Sequence, residues 1–555
     1  MFKENSNLAI AQISSYPGEI SDNVKKIINS IIKAKSIGAK LIIFPELAIP
    51  GYMSLDLMLY PKYIEENLKA LDKIKLLTKD VMAIIGFIDQ DRNKIGPDGT
   101  AIRYNSAAII YDQKIVAIQD KTLLPNYDVF FEKRYFAEGR DRKIINFQDL
   151  KLGIEICEDL WDENYSVKVS QDLIKKGADI LINISSSPFY LGKRNDRENL
   201  IKRISLKFKV PFVYVNCVGV QDGYDGELVF DGQSMVFNNK GELIRLGKEF
   251  EDDIFYINPA DLWNGKRLTP PRYNQIHDLY KALVLAITSY FRRTKFRKAY
   301  IGLSGGIDSA VVASLAVKAL GSKNVTGILM PSQFTDKESI NDAKKLAKNL
   351  TIEYKIIFIN GLFKNFQKSL KNSFKEKGVD TTEENLQARI RGMILMAHAN
   401  KFKGLVISTA NKTETALGYT TLYGDMCGAI APLADVSKLL VYELANFINQ
   451  EQEIGIIPQN IIKRIPTAEL RVNQTDEQSL GAPYSIISPL VDEIIEGGKG
   501  SKELEKKYSK KVVEHITNLI NQNEYKRRQA APAVKVTKKA FGIGRRIPIV
   551  HQFKI

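Results

Sequence analysis

Three residues in the first half of the chain have the chemistry of amide cleavage. Glu46 closes an apolar run in Phe44-Pro45-Glu46. Lys121 follows another in Asp120-Lys121-Thr122-Leu123-Leu124-Pro125. Cys157 follows a third in Gly153-Ile154-Glu155-Ile156-Cys157-Glu158-Asp159. Each stands at the end of a predicted strand, so the three can converge. A carboxylate can take the thiol proton and later activate water, while an ammonium favours both the thiolate and the oxyanion. Such a set needs no histidine, and the four histidines here are scattered. Taken singly, a buried cysteine is usually core and a lone lysine or glutamate is usually surface. The joint pattern is what points to a site.

The second half carries Gly302-Leu303-Ser304-Gly305-Gly306-Ile307-Asp308-Ser309 between a short apolar run and a helical one. Glycines let a backbone approach phosphate closely, and a helix N-terminus offers it free N–H groups. Ser304 and Ser309 add hydroxyl donors. Asp308 would repel phosphate without an intervening cation, which implies Mg²⁺. An ordinary glycine turn with a serine cap is the plainer reading, and the strand–turn–helix context argues against it. The loop is not a GxxxxGK[ST] phosphate loop. Further on, Ala410-Asn411-Lys412-Thr413-Glu414 and Gly418-Tyr419-Thr420-Thr421-Leu422-Tyr423-Gly424-Asp425 follow another predicted strand. Their carboxylate, lysine and hydroxyls cluster at the C-terminal sheet edge, where doubly wound folds bind ligands. Glu414 can share a cation with Asp308. Asn385 and Arg389 lie four apart on a predicted helix and face one side, which a solvated face would also explain.

These residues need two different scaffolds. In the first half, apolar runs at 8–13, 41–44, 81–88, 106–111, 115–120, 152–156, 180–184, 212–215, 229–237 and 254–257 read as strands. Helical spacing occurs at 23–37 and 167–176. Many strands with few helices suggest two sheets packed face to face with helices outside. Prolines at 259, 270 and 271 mark a linker over 263–272, separating domains over 1–262 and 273–555. Beyond it, strands at 299–303, 325–329, 353–358 and 405–409 alternate with helices at 308–320, 339–348 and 384–400. That order predicts a parallel, doubly wound sheet. The tail from 459 reads as irregular, with one helix over 502–522.

At 555 residues the chain exceeds one ordinary core, in keeping with two domains. The net charge of +16 raises the possibility of a polyanion partner. No Lys/Arg block runs past three residues, so the charge reads as background composition. Three cysteines without CxxC pairing argue against a disulfide framework and a zinc site. The N-terminus shows no leader, and no run of about 18 apolar residues occurs. A cytoplasmic protein without membrane or nucleic-acid partners is expected.

The 302–309 octapeptide resembles the pyrophosphate loop of the ATP pyrophosphatases. Together with NLQAR, STANKTE, GYTTLYGD, Lys438, PTAEL at 466–470 and YKRRQAAP at 525–532, it is similar to NAD+ synthetase over most of 273–555. The resemblance implies that the loop, Thr409, Lys438 and Thr467 contact ATP. It implies that Asp308 and Glu414 bind Mg²⁺, and that Asn385, Glu414, Tyr419, Thr420, Thr421, Leu422 and Lys526 hold deamido-NAD+. Alanine is more usual at Cys427 and methionine at Thr415, which bears on packing alone. Over residues 5–260 the Glu46, Lys121 and Cys157 trio resembles the nitrilase superfamily, specifically the glutaminase domain of glutamine-dependent NAD+ synthetases. Tyr127, Ser187 and Lys193 would then surround glutamine, with Glu132 as an additional active-site glutamate and Cys217 in the core. The family fold is a nitrilase-like αββα sandwich plus a doubly wound sheet of the adenine nucleotide α-hydrolase type. The implied activity is ATP-dependent amidation of deamido-NAD+ through an acyl adenylate, with ammonia from glutamine. Homo-oligomers and an interior ammonia tunnel are expected from the family. Two alternatives are an ATP pyrophosphatase acting on RNA and a nitrilase-type amidase regulated by nucleotide. The glutaminase trio stands against the first and the Mg²⁺ carboxylates against the second.

Overall fold

The computed structural model describes residues 7–96, 99–375, 377–451, 455–472, 474–542 and 544–551. It divides into two compact units. One runs to Gly223 and includes Leu228–Tyr273. The other holds Tyr224–Glu227 and the chain from Asn274 onward.

The first unit is built on two six-stranded sheets. One sheet has Asn7–Gln12 and Ala39–Ile43 beside Met82–Ile95, Ala101–Tyr111, Lys114–Asp120 and Asp253–Ile257. The other has Leu150–Ile156, Ile180–Ser185 and Phe212–Asn216 beside Ile144–Phe147, Met235–Phe237 and Leu243–Leu246. Alternate residues on each strand meet in one apolar layer. Leu8, Ile10, Leu41, Ile43, Ile84 and Ile109 of the first sheet pack against Leu152, Ile154, Ile156, Ile182, Ile184 and Val215 of the second. The period of two along these strands sets the face-to-face packing.

Helices cover the outer faces. Ile20–Ser36 buries Ile20, Val24, Ile27, Ile31 and Ala34, a stripe at three- and four-residue spacing. It packs with Pro61–Lys75, whose proline sits at the first helical position where no N–H is needed. Outside the second sheet, Leu173 and Ile201 of the helices Val169–Lys175 and Lys193–Phe208 pack on Leu181, Phe212 and Tyr214. The unit is thus an αββα sandwich.

The predicted strand at 229–237 is two strands, Gly226–Asp231 and Met235–Phe237. Gly232 and Gln233 between them take positive φ, which breaks the extended run. Two helices that periodicity did not assign, Pro61–Lys75 and Lys193–Phe208, complete the outer layers. The second of these is largely polar and shows little apolar stripe, so its sequence gave little signal.

The second unit holds a four-stranded parallel sheet in the order Glu353–Ile356, Val325–Leu329, Lys298–Gly302, Gly404–Val406. The chain reverses its direction of strand addition at Lys298–Gly302, and the crevice beyond that strand's C-terminal end is where such sheets bind ligands. Tyr300, Ile328 and Val406 pack with Ile390, Leu395 and Ala399 of the helix Thr381–Lys401.

The tail is more ordered than its sequence suggests. Tyr484–Ile495 is a helix despite Pro489 inside it, held by Ile487, Leu490, Val491 and Ile494 in an apolar cluster. Tertiary burial here outweighs the missing hydrogen bond. The expected helix over 502–522 is two, Ser501–Leu504 and Lys510–Gln522, with Ser509 capping the second through Val512 N–H. Among the described residues no helix is long and apolar enough to cross a membrane.

Candidate active sites

The first site gathers at the C-terminal ends of strands in the sandwich. Cys157 follows Leu150–Ile156 and opens a short 3-10 turn, Cys157–Leu160. Its φ of +45° lies in the left-handed region that a cysteine adopts only where surrounding structure imposes it. Lys121 is fully buried, and its Nζ reaches Glu46 Oε1 at 2.7 Å and Glu132 Oε1 at 2.6 Å. Glu46 is held from three sides. Asn105 Nδ2 donates to its Oε1 at 2.7 Å, and Ser186 N–H donates to its Oε2 at 2.8 Å. Tyr52 OH donates to Glu132 Oε1 at 2.6 Å. Two carboxylates and one ammonium thus form a closed array.

Charge in this array is strongly perturbed. Burial pushes the Glu132 carboxyl up to about 7 against the pull of Lys121. Burial alone would lower the Lys121 ammonium, but Glu132 and Glu46 hold it well above its ordinary value. Burial and then the Glu46 carboxylate push the Cys157 thiol up, while Lys121 acts in the opposite sense. The thiol therefore lies within the fields of Glu46, Lys121, Glu132 and Glu158. Burial thus favours the neutral thiol, which must lose its proton to react.

The wall beside the thiol is polar at two ends. Glu158, next in sequence to Cys157, accepts from Tyr127 OH at 2.9 Å and Tyr165 OH at 2.9 Å. Lys193 Nζ stands 3.9 Å from the centre of the Trp161 ring, and burial lowers its ammonium to about 8. Ser187 is buried beside Ser186, with its N–H on Asn216 Oδ1 at 3.0 Å. An anionic end, a cationic end and a thiol suit a small zwitterion carrying a carbonyl.

The second site is a cavity of about 290 Å³ at the end of Lys298–Gly302. The whole 302–309 loop lines it. Gly305 has a φ of +87°, and a Cβ there would come within 2.4 Å of the Ser339 carbonyl oxygen, so only glycine fits. Ser304 Oγ accepts from Gly306 N–H at 3.1 Å and lies 3.2 Å from Ser309 Oγ, which shapes the turn into the helix Ile307–Leu320. Lys438 Nζ bridges Asp308 Oδ2 and Glu414 Oε1. Asn411 Nδ2 donates to Asp308 Oδ1 at 2.9 Å, and its Oδ1 caps the helix Lys412–Leu417 that carries Glu414. Burial and the Asp308 charge push Glu414 up to about 8. Two hard oxygen donors sharing one ammonium have the chemistry of a divalent-cation site.

The first half matches the carbon-nitrogen hydrolase family over residues 7–259, and the second matches NAD synthase over 279–530. The glutamine-dependent NAD(+) synthetase of Thermotoga maritima is 40% identical, covering 99% of both chains. That of Synechocystis sp. is 39% identical over 98% of this chain and 99% of its own. This chain belongs to the glutamine-dependent NAD(+) synthetase family. The solved structure of the Acinetobacter baumannii member, a complex with adenosine diphosphate, is 35% identical with a TM-score of 0.76 and 98% coverage of each chain. The sandwich is accordingly a nitrilase fold and the second unit an NAD synthase fold.

Within this family frame, the structure sorts the residues singled out by sequence. Glu46, Lys121 and Cys157 share one site, and Tyr127 and Lys193 flank it. Thr409, Lys438, Thr467, Glu414, Tyr419 and Thr420 line the cavity with the loop. Asn385, Thr421, Leu422 and Lys526 lie behind that wall. Thr421 Oγ1 donates to Asn385 Oδ1 at 2.8 Å, and Arg389 Nε donates to the Leu422 carbonyl at 3.2 Å. Lys526 Nζ donates to the Gly418 and Thr420 carbonyls at 2.7 and 2.9 Å. Asn385, Arg389 and Lys526 thus hold the 418–425 segment.

Lys412 departs from expectation. Its ammonium turns away from the cavity to Glu496 at 2.7 Å, Asp492 at 3.1 Å and Asp435 at 3.6 Å. Lys438 supplies the cation at the site instead. Cys427 also differs, since it stands on the cavity wall rather than in packing alone. Cys217 is fully buried, as expected. Asn105, Tyr52, Ser186 and Asp159 were not singled out. Asn105 gave one usable signal, a polar residue shortly before the apolar run 107–110, which is buried.

Proposed function

We propose that this chain amidates deamido-NAD+ to NAD+ with ATP, taking ammonia from glutamine. Glu46 removes the Cys157 proton as the thiolate attacks the glutamine side-chain carbonyl. Lys121 offsets the charge that grows on the oxygen. Ammonia leaves with the proton that Glu46 held, and a thioester remains. Water activated by Glu46 then releases glutamate and restores the thiol. Glu132 keeps Lys121 charged and oriented. Lys193 would hold the substrate carboxylate, with Tyr127 and Ser187 closing the pocket.

In the cavity, the nicotinate carboxylate attacks the α-phosphorus of ATP and pyrophosphate leaves. Ammonia attacks the acyl adenylate and AMP leaves. The 302–309 loop, Thr409, Lys438 and Thr467 would bind ATP. Glu414, Tyr419 and Thr420, backed by Asn385, Thr421, Leu422 and Lys526, would bind deamido-NAD+. Asp308 and Glu414 suit Mg²⁺, which when bound would offset phosphate charge. We also assign a homo-oligomer, supported by the exposed Leu362, Phe366, Met393 and Met396 on the adjoining helices Asn360–Leu370 and Thr381–Lys401. Three unpaired cysteines suit a reducing cytoplasm.

The observation that carries this reading is the coexistence of the Glu46–Lys121–Glu132 array around Cys157 and the loop-lined cavity in one chain. Replacing Cys157 with Ala tests it. Synthesis from glutamine should be abolished and synthesis from high ammonium retained. Loss of both activities would contradict separate sites.

A further inference from the structure

The nucleophile and its lysine come from segments 36 residues apart in sequence, yet one buried carboxylate touches both. We propose that Asp159 is a positioning residue of the thiol site, tying the segment that carries Lys121 to the turn that carries Cys157. Its Oδ1 accepts from Leu123 N–H at 2.7 Å and Thr122 N–H at 3.1 Å, immediately after Lys121. Its Oδ2 accepts from Ile156 N–H at 3.0 Å, immediately before Cys157, and shares Thr122 N–H at 3.4 Å. The residue is 1% exposed, and both carboxylate oxygens are taken up by these backbone N–H groups.

A purely local role would need only the Ile156 bond, in which the carboxylate on the third residue of the 3-10 turn reaches back to the N–H that precedes it. The two bonds to Thr122 and Leu123 do nothing for that turn. They fix where the Lys121 backbone stands relative to the cysteine. On its other side the Lys121 segment is held by Lys121 N–H donating to the Asn105 carbonyl at 2.8 Å. Lys121 is thus clamped between the strand that bears Asn105 and the carboxylate that braces Cys157. The clamp matters because a thiolate formed against burial depends on the ammonium being in place, and catalysis falls steeply with displacements near 1 Å.

The chemistry of the pair of oxygens makes the claim separable from mere folding. All three partners are N–H donors, so both oxygens must accept. An amide of the same shape has one accepting oxygen and one NH2. Asp159→Asn therefore keeps either the Lys121 side or the Cys157 side, and sets a donor against the other. Volume and burial hardly change.

The inference rests on the thiol site releasing ammonia from glutamine, and a Cys157→Ala control separates the two ideas. If Cys157→Ala leaves glutamine use intact, the glutaminase reading itself fails. With that control behaving as expected, Asp159→Asn should lower kcat with glutamine by about tenfold or more. KM for glutamine and the ammonium-dependent rate should change little, because substrate-binding groups and the cavity are untouched. Asp159→Glu, which keeps the charge but moves it by one methylene, should fall between wild type and Asp159→Asn, and it carries the test if the asparagine variant does not fold. A near-normal kcat with glutamine would overturn the proposal. So would a rise in KM at unchanged kcat, or an equal loss of ammonium-dependent synthesis.

Discussion

The two sites solve the problem of buried charge in opposite ways. In the Glu46–Lys121–Glu132 array every charge has a protein partner. Lys121 is shared by Glu46 and Glu132, Asn105 and Tyr52 donate to the same two oxygens, and Ser186 N–H and Asn105 Nδ2 reach the other oxygens of Glu46 and Glu132. In the cavity two carboxylates depend on one ammonium, with Glu414 raised by burial and by Asp308. A site that cleaves a small neutral amide can be completed by protein alone. A site that handles a polyphosphate needs room and a charge balance that changes as ligand arrives. The difference teaches that preassembly fits the covalent chemistry of the first site, while the second must trade partners.

The sharpest way to break this comparison is to remove the central cation from each array. Lys121→Met leaves two buried carboxylates without a counter-charge and should destabilise its unit by about 3–5 kcal/mol. Denaturant unfolding would measure this, and amide cleavage should be lost. Lys438→Met should be milder in stability, and added Mg²⁺ should recover part of the loss as a rise in melting temperature. Equal destabilisation with no Mg²⁺ response would remove the contrast. Asp308→Asn should next reduce synthesis from glutamine and from ammonium alike, by about 10²–10³-fold in kcat. Near-normal turnover would reject its place at the phosphates.

Removing divalent cations should arrest synthesis and leave Cys157 open to alkylation by iodoacetamide, since no metal ligand belongs to the thiol site. Mass spectrometry of the labelled peptide reads this directly. The smallest effect concerns Lys193. Burial lowers its ammonium to about 8, so it is charged below that pH and loses its proton as pH rises through it. The kcat/KM for glutamine, which reports the free enzyme, should therefore fall above about pH 8. Lys193→Arg keeps its charge and should flatten that fall, as steady-state rates across pH would show.

Much of both sites was legible because their residues sit at the ends of strong apolar runs. Cys157, Lys121 and Glu46 each follow a short apolar run that reads as a strand. The 302–309 loop announces itself by glycines between a strand and a helix. Legibility failed where three-dimensional context decides direction. Lys412 stands two residues before Glu414 in one motif, yet one helical turn sends its ammonium to Asp435, Asp492 and Glu496. Lys438 was named through the family resemblance, while its place between Asp308 and Glu414 is set by the fold. Tyr484–Ile495 hid behind Pro489, because packing that compensates a proline cannot be read locally. The hydrogen bonds of Asp159 are to backbone N–H groups and leave no mark on residue type at the partner positions.

The central claim is that the cavity makes an acyl adenylate which ammonia from the thiol site then meets. It is tested most directly by incubating the protein with ATP, Mg²⁺, deamido-NAD+ and glutamine labelled with ¹⁵N at its side-chain amide. The account predicts AMP and pyrophosphate in step with NAD+ that carries the label. ADP with phosphate, or labelled NAD+ formed without AMP, would contradict it.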